Sequence, residues 1–145
     1  MTDISGISPA IISTLPTSTI SSLTTSEMAL LTAAQIAALT STQIQYVTSE
    51  DLQVLSVTQM RGLSTTAIPA LTVDQWVFSG AQLAVLSAAQ IQSIETEDFD
   101  ALTTTQLTGF TATQVAALTT TQLSALTTSD LATLSATQVK GLTVT

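Results

Sequence analysis

From Ile7 onward an apolar residue opens a new block every eight positions, and this period runs to Leu142 with one shortened step, from Leu71 to Phe78. The clearest octads are LTTTQLTG, FTATQVAA, LTTTQLSA, LTTSDLAT and LSATQVKG, covering Leu102 to Gly141. Their consensus is Leu, Thr or Ser, two variable residues, Gln or Asp, an aliphatic residue, a variable residue and a small one. An exact short period is the mark of a repeat architecture in which each unit is too small to bury its own apolar face.

The spacing has a mechanism. A hydroxyl at position two can accept from the backbone N–H three residues on, while the Gln, Glu or Asp at position five reaches back to the position-two N–H. That reciprocal pair is a capping box. Positions one and six then fall at N′ and N4, the two ends of a hydrophobic staple. In the regular octads the box is Thr103/Gln106, Thr111/Gln114, Thr119/Gln122, Thr127/Asp130 and Ser135/Gln138. The matching staples are Leu102/Leu107, Phe110/Val115, Leu118/Leu123, Leu126/Leu131 and Leu134/Val139. Each unit therefore encodes one helix start. Because the next start follows within one octad, each helix is about five to seven residues long, under two turns. Helices this short do not persist alone. The expected fold is thus an all-α solenoid of short capped helices, one per octad, in a single unit spanning residues 1–145.

Two other architectures compete. In one long helix, eight residues advance about 800°, so the apolar seam would drift by roughly 80° per octad and form no stripe. A Thr-rich β-solenoid is the stronger rival, since Thr, Ile and Val favour strands. Against it, positions one and six have opposite parity and would point to opposite faces of a straight strand. Tight β-turns also favour Gly and Asn, yet the chain has five Gly and no Asn.

The acidic residues Glu27, Glu50/Asp51, Asp74 and Glu95 to Asp100 recur in octads three apart, which suggests three octads per superhelical turn, with Asp130 out of step. With layers about 8–10 Å apart, the rod would be roughly 50–80 Å long. Residues 1–22 form divergent first octads: Pro9 and Pro16 appear there and the position-five Gln is missing. A second irregularity spans residues 63–78. Ala67 replaces Gln, Pro69 stands near a helix end, and the following block is one residue short. It is either a tolerated defect or a bend. Trp76 occupies core position six and is expected to be buried packing.

Composition narrows the chemistry. The chain has no His and no Cys, so neither an imidazole base, a thiol nucleophile nor a Ser/His/Asp triad can be assembled. Arg61 and Lys140 are its two basic residues against ten acidic ones, for a net charge of −8. Such a surface does not neutralise phosphates, so no nucleic-acid partner is expected. Mean hydropathy is +0.49, but hydroxyls interrupt the apolar pattern in every octad. No run approaches the roughly 18 apolar residues of a membrane span. Glu95, Glu97, Asp98 and Asp100 crowd four carboxylates into six residues. Oxygen-rich clusters suit Ca²⁺, but the spacing matches no known calcium loop, so these residues are a weak metal candidate beside the simpler reading of a solvated charged edge. Paired carboxylates can also run glycoside hydrolysis, yet the chain has few aromatics to hold a sugar. No cofactor and no catalytic residue are expected.

The segment AALTTTQLSALTTSDLATLSATQVKGL resembles the tandem Ala-Leu-Thr-x-x-Gln octapeptides of bacterial exported and surface proteins, including large adhesin-like chains. The resemblance covers nearly the whole sequence. It implies an extracellular or cell-surface setting and a spacer-like or fibre-forming role, and it transfers no catalytic residue. No cleavable N-terminal signal is visible, and a cytoplasmic location stays open. The last octad, with Leu142 and Val144, is expected to leave an apolar end that closes by self-assembly into a homo-oligomer or head-to-tail polymer. The expected function is accordingly a non-catalytic structural repeat protein that forms a filament or surface rod. The alternative is a binding module presenting a regular Thr/Ser surface, to ice or carbohydrate or as an adhesin spacer.

Overall fold

A computed structural model describes residue 4 and residues 6–142. It is all helical, with 15 short α-helices, two 3₁₀ turns and no strand among the described residues. The β-solenoid is therefore not the fold. The helices run from four residues, as in Ser41–Ile44, to six, as in Thr120–Ala125. They are slightly shorter than the five to seven expected, because the backbone leaves the helix before position one rather than at it.

The octad Phe110–Ala117 shows how each unit is built. Thr111 is extended (φ −75°, ψ 159°), and its hydroxyl accepts from the Gln114 N–H at 3.2 Å. The helix Ala112–Ala116 follows and ends when the Ala117 N–H bonds back to carbonyls of the last turn. The neighbouring Leu126 shows the other half of the corner: it is extended (φ −67°, ψ 127°) and leads into the next N-cap, Thr127. The chain thus turns between helices using two consecutive extended residues. No described residue has a positive φ, so the corners need no left-handed glycine. That is why five glycines suffice for so many turns.

Outside the irregular segment each helix packs on the helix three octads away. One column stacks Pro9–Ile12, Ala33–Ala37, Val57–Gly62, Gly80–Leu83, Thr104–Thr108 and Thr128–Thr133. The three-octad turn expected from the acidic residues is the one observed. Thr25–Leu30 packs on Ser49–Gln53, and Ser49–Gln53 packs on the turn Val73–Gln75. Glu27, Glu50, Asp51 and Asp74 accordingly lie along a single column.

Positions one and six fill the interior. From Ile12 to Val115 the position-six side chains are nearly all inaccessible, and Leu31, Leu39, Leu55, Leu63 and Leu86 line the same core from position one. Where position eight is glycine, as at Gly62, Gly109 and Gly141, it sits on position three of the layer beneath at backbone contact distance. A methyl group on Gly62 would collide with the backbone of Ala33, and one on Gly109 with the backbone of Gly80. At these octads the glycine of position eight sets how closely the layers approach.

The irregular segment does not interrupt the stack. The Ala67 octad forms the 3₁₀ turn Ile68–Ala70, and the short block forms a second, Val73–Gln75. Ile68 and Trp76 still enter the core. Trp76 leaves the helical region (φ −79°, ψ 57°), which absorbs the missing residue. It packs edge-on against Phe78, with ring centroids 5.6 Å apart. The divergent first octads also form helices. Pro9 stands at the first helical position of Pro9–Ile12, where its lack of an N–H is harmless.

Candidate functional site

The feature that recurs through the whole stack is the position-five glutamine. Ten of these side chains, Gln35, Gln43, Gln59, Gln75, Gln82, Gln90, Gln106, Gln114, Gln122 and Gln138, are buried. Their carbonyl oxygens do what the sequence implies. Gln114 Oε1 accepts the Thr111 N–H at 2.8 Å and Gln138 Oε1 the Ser135 N–H at 2.8 Å. All the boxes expected in the regular octads are present, including Thr127/Asp130.

The amide nitrogens do something the motif does not announce. Gln114 Nε2 donates to the Leu83 and Leu86 carbonyls, both at 2.8 Å. Gln122 donates to Ile91 and Ile94, Gln138 to Leu107 and Phe110, and Gln59 to Met28 and Leu31. The acceptors in every case include position six and the following position one in the turn below, with Gln82 and Gln90 also reaching the intervening Gln53 and Arg61 carbonyls. The position-one carbonyl belongs to the extended corner, so no i→i+4 helix bond reaches it. One planar amide thus closes the start of its own helix and ties down a corner in the next layer. An amide with one oxygen and two N–H groups is the side chain that can do both. A carboxylate can perform only the first task. The preference for Gln over Glu at position five was the signal in the sequence, and the capping box alone does not explain it.

The exceptions mark where this tie is missing. By register Asp51 faces Ile20 and Leu23, Ala67 faces Ile36 and Leu39, and Asp130 faces Phe99 and Leu102; none has an N–H to offer. Asp51 is buried, and its carboxylate accepts from the Thr48 hydroxyl at 2.7 Å. Asp98 is also buried, and by register the residues opposite it are Ile68 and Leu71. Burial raises its pKa above the usual carboxylate range, and the charges of Glu95 and Glu97 push the same way. The Trp76 indole N–H is near enough to temper the shift, but it forms no hydrogen bond of regular geometry and is left buried without one.

The four carboxylates of the weak metal candidate are not brought together. Asp98 points inward, Glu95 is the N-cap of Thr96–Asp100, and Glu97 and Asp100 lie elsewhere around that helix. Among the described residues no group of three or more acidic side chains is placed to hold a metal ion. The solvated-edge reading fits Glu95, Glu97 and Asp100, which are exposed.

The expected staples hold at Leu102/Leu107 and Phe110/Val115, all buried. In the last turn they are only half made. Leu118 and Leu126 pack against the core, but Leu123, Leu131 and Val139 are exposed, since position six points toward a layer above that the described structure does not contain. These three side chains, rather than Leu142, form the apolar part of that end. Leu142 packs against the core, and Val144 lies outside the described residues. No described helix is long and apolar enough to cross a membrane.

Comparison with known proteins agrees with the repeat reading. A family model for the ALTTAQ repeat matches residues 91–128, about a quarter of the chain, overlapping the first part of its most regular stretch. No curated protein and no solved structure gives a significant match. The chain is a tandem-repeat protein whose octads over residues 91–128 are similar to the ALTTAQ repeat.

Proposed function

We propose that the chain is a non-catalytic structural element: a rod of stacked octads that serves as a spacer or lengthens end-on into a filament, in an extracellular or cell-surface setting. The single observation that carries this reading is the glutamine ladder. The most conspicuous buried polar groups of the chain are spent on joining one turn to the next, which is what an extensible rod requires. The lack of His and Cys and the near absence of cations leave little with which to build a reactive site. The resemblance to surface-protein octapeptides supports the setting.

Electron microscopy of concentrated purified protein tests it. Rods or fibres of uniform width support the reading, whereas compact particles at every concentration would overturn the lengthening part of it. A second reading rests on the exposed hydroxyls at positions three and four, such as Thr104, Thr105, Thr120, Thr121, Thr128 and Ser129. They form a regular polar surface that could meet ice or carbohydrate. Thermal hysteresis or retention on a polysaccharide resin would favour it.

A further inference from the structure

The glutamine ladder is broken at two neighbouring octads inside the stack. The octad that starts at Leu63 carries Ala67 at position five and gives no amide to Ile36 and Leu39, the pair its register places beneath. Its own carbonyl pair, Ile68 and Leu71, meets Asp98 by register and receives no amide from above. The octad that supplies Asp98 repeats the pattern, since its pair, Phe99 and Leu102, lies in register with Asp130. Both octads are thus untied below and above. Their helix starts are weaker as well. The Ser64 hydroxyl accepts the Ala67 N–H at 3.0 Å, but Ala67 has no acceptor to return and Pro69 has no N–H. Glu95 stands at the N-cap of Thr96–Asp100 without a side-chain cap bond.

The flanking octads are tied in both directions. Before the first break, Gln59 donates to Met28 and Leu31, and the Met60 and Leu63 carbonyls receive Gln90. After it, Gln75 donates to Ile44 and Val47, and Trp76 and Phe78 receive Gln106. Around the second break, Ile91 and Ile94 receive Gln122, and Leu107 and Phe110 receive Gln138. The broken region therefore has sharp edges. Its contents also favour opening. Asp98 is a carboxylate only 4% exposed, and beside it the Trp76 indole N–H is buried without a partner. Water entering on opening would satisfy both groups. We infer that residues 64–71 and 95–102 form a seam in the wall of the stack, which opens locally while the tied octads beside it stay closed. The seam depends on the amide ladder alone, so a rod that serves as a spacer and one that polymerises would both carry it. It gives either rod a place to yield without coming apart.

Native-state hydrogen exchange on the full chain, resolved to single amides by NMR and corrected for intrinsic rates, tests it. The matched probes are the position-six N–H groups. Ile68 and Phe99 in the seam bond to Ser64 and Glu95 at 3.0 and 2.9 Å, and Ile91 and Leu107 in tied octads bond to Ser87 and Thr103 at 3.0 Å. Hydrogen-bond length therefore does not separate them, and a rate difference reports opening. In the parent, Ile68 and Phe99 are expected to exchange about tenfold or more faster than Ile91 and Leu107. Asp98→Gln supplies donors for the Ile68 and Leu71 carbonyls and is expected to slow Ile68 and Phe99 while leaving Ile91 and Leu107 unchanged. Gln90→Asp removes the donors to Met60 and Leu63 and is expected to bring Ile91 toward the seam rate. Equal exchange at the four probes in the parent would overturn the inference whatever the variants do. So would a folded Asp98→Gln chain whose slowing is absent or spread evenly over all octads, or a folded Gln90→Asp chain with Ile91 unchanged.

Discussion

Replacing Gln114 by Glu separates the two tasks of the position-five side chain. The substitution is nearly isosteric. One carboxylate oxygen can still accept the Thr111 N–H, so the capping box survives. The two donors to Leu83 and Leu86, each at 2.8 Å, are lost. In their place a carboxylate oxygen faces two carbonyl oxygens at a site 4% exposed. Two hydrogen bonds account for about 1–3 kcal/mol together, and an uncompensated buried charge brings the total to roughly 3–5 kcal/mol. For a chain of this length that corresponds to a fall in Tm of roughly 10 °C or more. Gln114→Met removes the hydrogen bonds without introducing charge and is expected to cost about 2–3 kcal/mol. The assay is urea denaturation followed by circular dichroism at pH 7, with hydrogen exchange to locate the loosened turn, since repeat stacks need not unfold in one step. If Gln114→Glu lies within about 0.5 kcal/mol of the parent, the amide does not join the layers and the reasoning fails.

Four further outcomes follow from the same geometry. Asp51→Gln should stabilise by about 1–2 kcal/mol, because it supplies the amide missing opposite Ile20 and Leu23; a lower urea midpoint would contradict this. Thr111→Ala removes the hydroxyl that accepts from Gln114 and should cost about 1 kcal/mol, with its hydrogen-exchange effect centred on Ala112–Ala116. Gly62→Val drives a branched side chain into the Ala33 backbone; it should lower Tm clearly, whereas the same change at Gly6, which has open space around it, should not. The Asp98 carboxyl, with its pKa raised by burial, binds its proton more tightly in the folded state. Its contribution is therefore fully present below the unfolded value near 3.8 and is lost as pH rises through the elevated folded value. Asp98→Asn should flatten the Tm–pH profile across that window; an unchanged profile would rule Asp98 out as its source.

The octad sequence by itself determined the local structure. Hydroxyl, acceptor and staple lie within six consecutive residues, so the start of each helix, its shortness and its dependence on neighbours could be read directly from Thr111, Gln114, Phe110 and Val115. The three-octad turn was visible only faintly, through the spacing of Glu27, Asp51, Asp74 and Asp98. Other properties belonged to the tertiary structure alone. The amide of Gln114 reaches carbonyls some thirty positions back, a pairing that no local rule encodes, because it depends on how many octads complete one turn. The same dependence decided that Asp98 is buried while Glu95, Glu97 and Asp100 stay in solvent. It also decided that Leu131, identical in motif to Leu107, is exposed while Leu107 is buried. Local backbone chemistry acts over one octad, whereas the fate of each position-six side chain and each free amide proton is settled by the layer stacked above or below it.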